Sequence, residues 1–159
     1  MFAVGRVAAA NTLYVAFRGT ASWDDAVADA DIHPDEKPAI PGGKVHSGFN
    51  KRSAFVPLKQ ILHCAEKEDC QTIITCGHSL GGAVSSIAAI DLVIHLGKNP
   101  DNRVFNITFG SPFFGNKSVR KTCKEEQYEQ NLLHYVGHQD VVPGILSLGH
   151  TISQLRIWV

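Results

Sequence analysis

The amino-acid sequence predicts an α/β fold, with a mostly parallel central sheet and helices on both faces of that sheet. Short runs rich in β-branched and aromatic residues recur along the chain, and stretches with a helical period separate them. The runs are apolar throughout, as is typical of strands that are buried on both faces. This alternation is the pattern of right-handed βαβ units around a parallel sheet.

Five runs are candidate strands, the fifth being the weakest: residues 13–17, 73–76, 104–109, 132–136 and 155–159. Two stretches between them have apolar residues spaced by three and four, which predicts amphipathic helices. Pro57 starts or kinks the first helix. Residues 31–43 combine prolines and glycines with charged residues and are expected to form a surface loop. The apolar helix positions are Phe55, Leu58, Leu62 and Ala65 in the first stretch, and Ala83, Ile87, Ile90 and Ile94 in the second.

Length and charge limit the possible classes of protein. A chain of 159 residues, 44% of them hydrophobic, can bury one sizeable core, so residues 1–159 are expected to form a single domain. Basic and acidic residues number 15 each, and this balance gives no field that attracts nucleic acid. The apolar stretches are too short to span a bilayer, and residues 1–6 lack a secretory signal pattern. We expect a soluble or peripheral protein, of undetermined compartment and oligomeric state.

Cysteines and glycosylation patterns leave the compartment open. Cys64 and Cys70 could bridge in a secreted protein, but free buried thiols are expected for all four cysteines. Asn116-Lys117-Ser118 has the acceptor pattern on an expected loop, whereas Asn106-Ile107-Thr108 lies in an expected buried strand.

The strongest motif is Gly77-His78-Ser79-Leu80-Gly81-Gly82, which follows one predicted strand directly and opens a predicted helix. In the G-x-S-x-G elbow of α/β-hydrolases, the glycines allow a tight turn that holds the serine oxygen above the sheet. Ser79 is therefore the candidate nucleophile, and a glycine turn without catalytic function is the alternative. The helix directs its free N–H groups at the site, where an oxyanion develops, and Leu80 supplies one of them in this hypothesis.

A serine nucleophile needs a histidine to take its proton and a buried carboxylate to orient that histidine. In α/β-hydrolases these groups occur along the chain in the order serine, acid, histidine. Asp140 follows the fourth predicted strand, before Val141-Val142-Pro143, and is the candidate acid. The alternative is an aspartate in a turn before a proline loop.

Metal and cofactor sites are not indicated. The eight histidines lack the glutamate-containing i, i+4 pattern of a zinc hydrolase, and the carboxylates do not cluster. The glycines from Gly77 to Gly82 lack the lysine of a phosphate-binding loop. We expect neither a metal nor a cofactor.

Five ordered stretches of the chain, between about Leu13 and Pro143, resemble the signature motifs of the fungal-type, or class 3, lipases. They are Phe17-Arg18-Gly19-Thr20-Ala21-Ser22, Val45-His46-Ser47-Gly48-Phe49, Gly77-His78-Ser79-Leu80-Gly81-Gly82, Thr108-Phe109-Gly110-Ser111-Pro112 and Asp140-Val141-Val142-Pro143. The resemblance implies an α/β-hydrolase fold, here as a truncated core, with Ser79 as nucleophile and Asp140 as acid. It further implies that Thr20 and Leu80 form the oxyanion hole.

The same resemblance implies that the segment after Thr20, including Trp23, is a lid or its remnant. The family has a tryptophan directly after the aspartate of this segment, where this chain has Ala26 after Asp25. The family's catalytic histidine follows the strand that the region from Gly149 to Val159 resembles. The base is therefore either His150 or a histidine beyond Val159.

Four further histidines are interpreted as structural. His78 resembles the usual residue before the nucleophile, and the other three precede Asp140 and break the expected order: His46, His134 and His138. The resemblance implies hydrolysis of lipid esters at a lipid–water interface, with acylglycerols as the leading substrates. Phospholipids and soluble esters remain open, as does a non-catalytic binding or signalling module. A peptidase with the same triad is a further alternative.

Overall fold

The computed structural model describes residues 1–19, 33–97, 103–138 and 140. A five-stranded sheet lies at the centre of this part, beside a two-stranded hairpin. The strands are β1 (Phe2–Val7), β2 (Thr12–Phe17), β3 (Pro34–Glu36), β4 (Lys44–His46), β5 (Thr72–His78), β6 (Val104–Phe109) and β7 (Leu132–Tyr135). The helices are α1 (Ser47–Ala54), α2 (Leu58–Lys67), α3 (Leu80–Leu96) and α4 (Lys117–Glu125), with short 3₁₀ turns at Ala8–Ala10 and Glu129–Asn131.

The large sheet has the strand order β1-β2-β5-β6-β7. From β2 to β7 every neighbouring pair is parallel, and only β1 at the edge is antiparallel. Parallel pairing brings the carboxyl ends of β2, β5, β6 and β7 to the same edge of the sheet. The predicted fold class, an α/β-hydrolase fold with a mostly parallel sheet, is confirmed.

The sequence pattern did not reveal β1. The 3₁₀ turn after it ends at Asn11, which adopts the left-handed conformation with φ 45° and donates its N–H back to Ala8 O at 3.1 Å. Asparagine tolerates this conformation better than most residues. No glycine or proline separates β1 from β2, so the sequence did not mark the turn that makes β1 a separate antiparallel strand.

Helix α3 covers one face of the sheet. The side chains beneath it, at most 1% exposed, lie in two register rows: Leu13, Ile73 and Val104, then Val15, Thr75 and Asn106. The alternate row of Tyr14, Ile74 and Phe105 on the opposite face is only partly buried within the described chain. Helix α3 also contacts α1 and α2 on its outer side, so it is buried all round where sequence analysis expected a single apolar stripe.

Three local predictions are corrected. Phe55 lies outside the helices and is 86% exposed, because Pro57 occupies the N-cap of α2 and separates it from α1. The expected loop over residues 31–43 contains strand β3, which pairs with β4. The expected loop at Asn116-Lys117-Ser118 is the start of α4, where Asn116 Oδ1 accepts the N–H of Val119 at 3.2 Å.

The hairpin is attached to the central helix. In the turn between β3 and β4, Lys37 Nζ lies 2.7 Å from Asp91 Oδ2 of α3, and both side chains are largely shielded from water. Partial burial strengthens such a pair relative to a surface ion pair. The hairpin is thereby held to the same helix that begins at the elbow.

Cysteines are free thiols in the described structure, with Cys70 and Cys123 buried. Burial, with a smaller contribution from the carboxylate of Glu129, raises the pKa of Cys123 to about 11. No helix in the described residues is long and apolar enough to cross a membrane.

Replacement of a core residue tests this packing. Ile73→Ala at the centre of the sheet should lower the free energy of unfolding by roughly 2–5 kcal/mol, because it leaves a cavity under α3. Urea denaturation followed by circular dichroism measures the change. Phe55→Ala is the control, since that side chain is 86% exposed and its loss should cost less than about 0.5 kcal/mol. Equal effects of the two substitutions would contradict the assigned core.

Candidate active site

Ser79 lies at the sharp turn between the central strand β5 and helix α3. Its backbone has φ 54° and ψ −129°, a conformation that residues with a side chain rarely adopt. Such strain persists only where the surroundings hold the residue in place, and it concentrates at functional sites. Ser79 donates its N–H to Phe109 O of β6 at 3.0 Å, and its own carbonyl accepts the N–H of Gly82 at 2.8 Å.

Close backbone contacts explain the glycines of the elbow. A Cβ at Gly77 would overlap the backbone of Gly81 and lie 2.7 Å from Gly82 N. A Cβ at Gly81 would overlap Phe17 O and lie 2.8 Å from Gly19 N, at the end of β2. The turn therefore packs with its backbone directly against the end of the neighbouring strand, and no side chain fits between them.

The N-terminus of α3 begins directly after Ser79, the candidate nucleophile. Leu80 is the first residue of the helix and is 6% exposed, so its N–H has no partner within the helix and lies in a largely dry environment. Gly19 lies on the other side of Ser79, since a Cβ added there would be 3.8 Å from Ser79 Cβ. Thr20, the other predicted oxyanion residue, lies outside the described residues, as do Trp23 and Ala26.

Asp140 lies at the carboxyl edge of the sheet. Its Oδ2 is 2.5 Å from the point that a Cβ on Gly110 would occupy, and Gly110 has φ 52°. The Gly110 N–H donates to Tyr135 O at 2.8 Å, and the Asp140 N–H donates to Gly137 O at 2.9 Å. The missing side chain at Gly110 thus makes room for the carboxylate. Sequence analysis did not identify this role, although a glycine directly after a buried strand was its signal.

An open cleft adjoins Asp140. Phe109 and Tyr135 stack on one side of it, with ring centroids 5.4 Å apart, and both are about half exposed. His78 Nε2 is 3.7 Å from the same Gly110 point that Asp140 approaches. The lining residues are His78, Phe109, Gly110, Tyr135, Val136, Gly137 and Asp140.

The other histidines differ in their surroundings. His134 Nδ1 lies 2.5 Å from Thr108 Oγ1, and withdrawal of the ring from water lowers the pKa of His134 even though the residue as a whole is exposed. His46 packs edge-on against Phe49 at 5.7 Å. His150, the candidate base, lies outside the described residues. Among the described histidines, His78 is the one that lines the cleft.

No group of three or more metal-ligating side chains occurs among the described residues. The arrangement instead consists of a strained serine, a helix N-terminus and a carboxylate at one edge of a parallel sheet. The sequence profile of the Lipase (class 3) family matches residues 14–149. The chain belongs to the class 3 lipase family.

Relatives of this class 3 lipase-family chain differ in their described activities. The chain is 31% identical to a lipase of Rhizopus niveus in an alignment 156 positions long that covers 93% of this chain and 38% of the relative. It is 31% identical to phospholipase A1-II 1 of Oryza sativa in an alignment 168 positions long that covers 91% of this chain and 42% of the relative. It is 38% identical to the lipase-like protein PAD4 of Arabidopsis thaliana over 71 residues, 45% of this chain and 13% of that protein.

The fold has counterparts among solved structures. The triacylglyceride lipase of Rhizomucor miehei superposes with a TM-score of 0.79 at 26% identity, covering 91% of this chain and 55% of that structure. The class 3 lipase-family chain therefore spans about half the length of this solved relative, and less than half of the three relatives compared by sequence.

Substitution in the elbow tests the backbone packing. Gly81→Ala should lower the free energy of unfolding by about 1–3 kcal/mol, because its Cβ overlaps the end of β2 and forces α3 to shift. Thermal denaturation measures the loss. Gly5→Ala in β1 is the matched control, since a Cβ there meets nothing within 4 Å. An unchanged melting temperature for Gly81→Ala would show that the close packing is wrong.

Proposed function

We propose that this chain is the catalytic core of a serine esterase that hydrolyses lipid esters through an acyl-enzyme on Ser79. The observation that carries the proposal is the strained backbone of Ser79 at the start of a buried helix. In a strained turn of this kind the side chain points away from both the strand and the helix. A catalytic serine in a strand–turn–helix elbow is presented in this way. Membership of a lipase family supports the same reaction class.

In the proposed reaction, Ser79 Oγ attacks the carbonyl carbon of the ester, and its proton passes to a histidine base. That base is His150 or a histidine beyond Val159. The carbonyl oxygen becomes an oxyanion and accepts hydrogen bonds from the N–H of Leu80 and from Thr20. The C–O bond then breaks, and the leaving alcohol takes the proton from the imidazolium. Water, deprotonated by the same base, releases the fatty acid and regenerates Ser79.

Asp140 is the proposed acid of this triad. A carboxylate beside the base orients its ring and stabilises the positive charge that the ring gains. Asp140 lies at the carboxyl edge of the sheet, against Gly110 and beside the cleft that His78 at the end of β5 also lines. This location supports the role. The base would approach through the cleft that Asp140 lines.

Acylglycerols are the proposed substrates, at a lipid–water interface. The triacylglyceride lipase of Rhizomucor miehei, whose structure superposes over 91% of this chain, supports this choice. A phospholipid is the alternative, which the similarity to the rice phospholipase A1 favours. Both reactions use the same nucleophile, oxyanion donors and acid, so head-group selection depends on other parts of the protein.

A catalytically inactive binding or signalling module is the second candidate function. A relative named only as lipase-like, PAD4, is similar to residues amounting to 45% of this chain, and this similarity leaves the second candidate open. In that case the elbow would be retained as a structural turn.

Covalent labelling distinguishes these functions. A fluorophosphonate probe should label the purified protein, and Ser79→Ala should lose labelling and lower ester turnover by roughly 10³-fold or more. Turnover of emulsified triacylglycerol, phospholipid vesicles and a soluble aryl ester, measured in parallel, identifies the substrate class. A folded protein that neither reacts with the probe nor turns over any ester would be the inactive module.

Replacement of the acid provides a separate test. Asp140→Asn keeps the size of the side chain but removes the charge that stabilises the imidazolium, so kcat should fall by roughly 10³- to 10⁴-fold. Asp69→Asn is the matched control, because Asp69 is exposed, with φ 50°, and asparagine tolerates this conformation. Equal turnover of the two variants would rule out Asp140 as the acid.

A further inference from the structure

A fully buried group of polar side chains lies under the first turns of α3. Thr75 of β5, Ser85 and Ser86 of α3, and Asn106 of β6 are each 0% exposed. We refer to these four residues as the buried amide cluster. Polar groups in such a place cost free energy unless every one is hydrogen-bonded, and an apolar core would avoid that cost.

The hydrogen bonds of the cluster converge on one peptide of the helix. Asn106 Nδ2 donates to Thr75 Oγ1 and to Ser85 Oγ, each at 2.9 Å. Ser85 Oγ in turn donates to Gly82 O at 2.9 Å. The single hydroxyl proton of Ser86 is shared between Asn106 Oδ1 at 2.9 Å and Gly82 O at 3.0 Å. The carbonyl of Gly82 is thereby tied to the two central strands.

The same Gly82 residue holds the nucleophile. Its N–H donates to Ser79 O at 2.8 Å, and a Cβ on it would lie 2.8 Å from Ser111 Cβ. A continuous path of hydrogen bonds therefore runs from Asn106 through Ser85 and Gly82 to the strained residue. Each link is short, and none of these four residues is more than 9% exposed.

Asparagine is an unusual choice for this position. It is depleted in strands, and Asn106 lies in the middle of β6, a strand flanked by β5 and β7. A valine would fit the propensity of the strand and the apolar Leu132 beside it in the register row. The amide occupies a position where strand propensity and burial both disfavour asparagine. This conflict indicates that the hydrogen bonds of the amide are required.

We propose that Asn106 is a positioning residue for Ser79, and that the buried amide cluster holds the first turn of α3 at the height at which the strained nucleophile can attack. This inference rests on the proposed function, since it assigns a role in the same site. The amide does not touch substrate, and acts through Ser85 and Gly82. Its loss should lower the rate of attack by Ser79 without changing substrate affinity.

Asn106→Val tests the proposal, with Asn131→Val as the matched control. Asn131 is also buried, at 7% exposure, and donates its Nδ2 to Val104 O at 3.1 Å. It makes this bond at the amino end of β6, away from the elbow. Both variants replace a buried asparagine by valine and remove side-chain hydrogen bonds in which strand β6 takes part, so urea denaturation of each shows how far general destabilisation contributes.

Hydrogen exchange of the peptide covering residues 79–83 and kinetics of ester hydrolysis are the two measurements. In Asn106→Val, exchange of the Gly82 and Ala83 amides should be at least about fivefold faster than in the unsubstituted chain. The values of kcat and of the fluorophosphonate labelling rate should fall roughly tenfold, with KM within about twofold. Asn131→Val should change neither the exchange in this peptide nor kcat by more than about twofold.

Exchange that is unchanged in Asn106→Val, or equally accelerated in both variants, would overturn the proposal whether or not the protein is an esterase. Faster exchange without a fall in kcat in an active protein would overturn it too. The Ser79→Ala variant in the same assays reports separately on the proposed function. If the unsubstituted chain neither labels nor turns over ester, the esterase function fails, and so does the assignment of Asn106 to catalysis.

Discussion

The contact between the elbow and the end of β2 is made by backbone atoms alone, and the arrangement of the site depends on it. Gly81 lies against Phe17 O and Gly19 N, and Gly77 lies against the Gly81 backbone. Since side chains cannot enter these contacts, the helix begins as close to the sheet as two main chains permit. The N–H of Leu80 and the candidate nucleophile Ser79 are consequently positioned by main-chain contacts, which cannot adjust as side chains can.

Parallel pairing extends this constraint across the sheet. The register that places Phe17 beside Gly77 also places His78 beside Phe109, and Phe109 beside Tyr135. Asp140 follows the last of these strands, so the candidate acid reaches the same edge as the candidate nucleophile although 60 residues separate them in the chain. The candidate site is therefore a consequence of strand order more than of any local motif.

Sequence reasoning predicted the parallel strands, the elbow and the location of Asp140, because burial on both faces and glycine-bounded turns leave strong local signals. It missed β1 and β3, which are short or exposed and have no apolar alternation. It also expected Phe55 to lie on the apolar stripe of α2. That helix begins only at Leu58, after Pro57, so Phe55 lies outside it and is exposed. The convergence of Asn106, Ser85 and Ser86 on Gly82 could not be predicted, since it depends on the distance between a helix and a strand that are far apart in sequence.

The contacts of Lys37 and Gly19 connect two separate parts of the chain to helix α3. Gly19 lies against Ser79, and the hairpin that follows His33 is held to α3 through Asp91. The 13 residues between Gly19 and His33 thus join two points that are both anchored to one helix. The two described residues that flank this interval are therefore positioned by the same helix that begins at the candidate nucleophile.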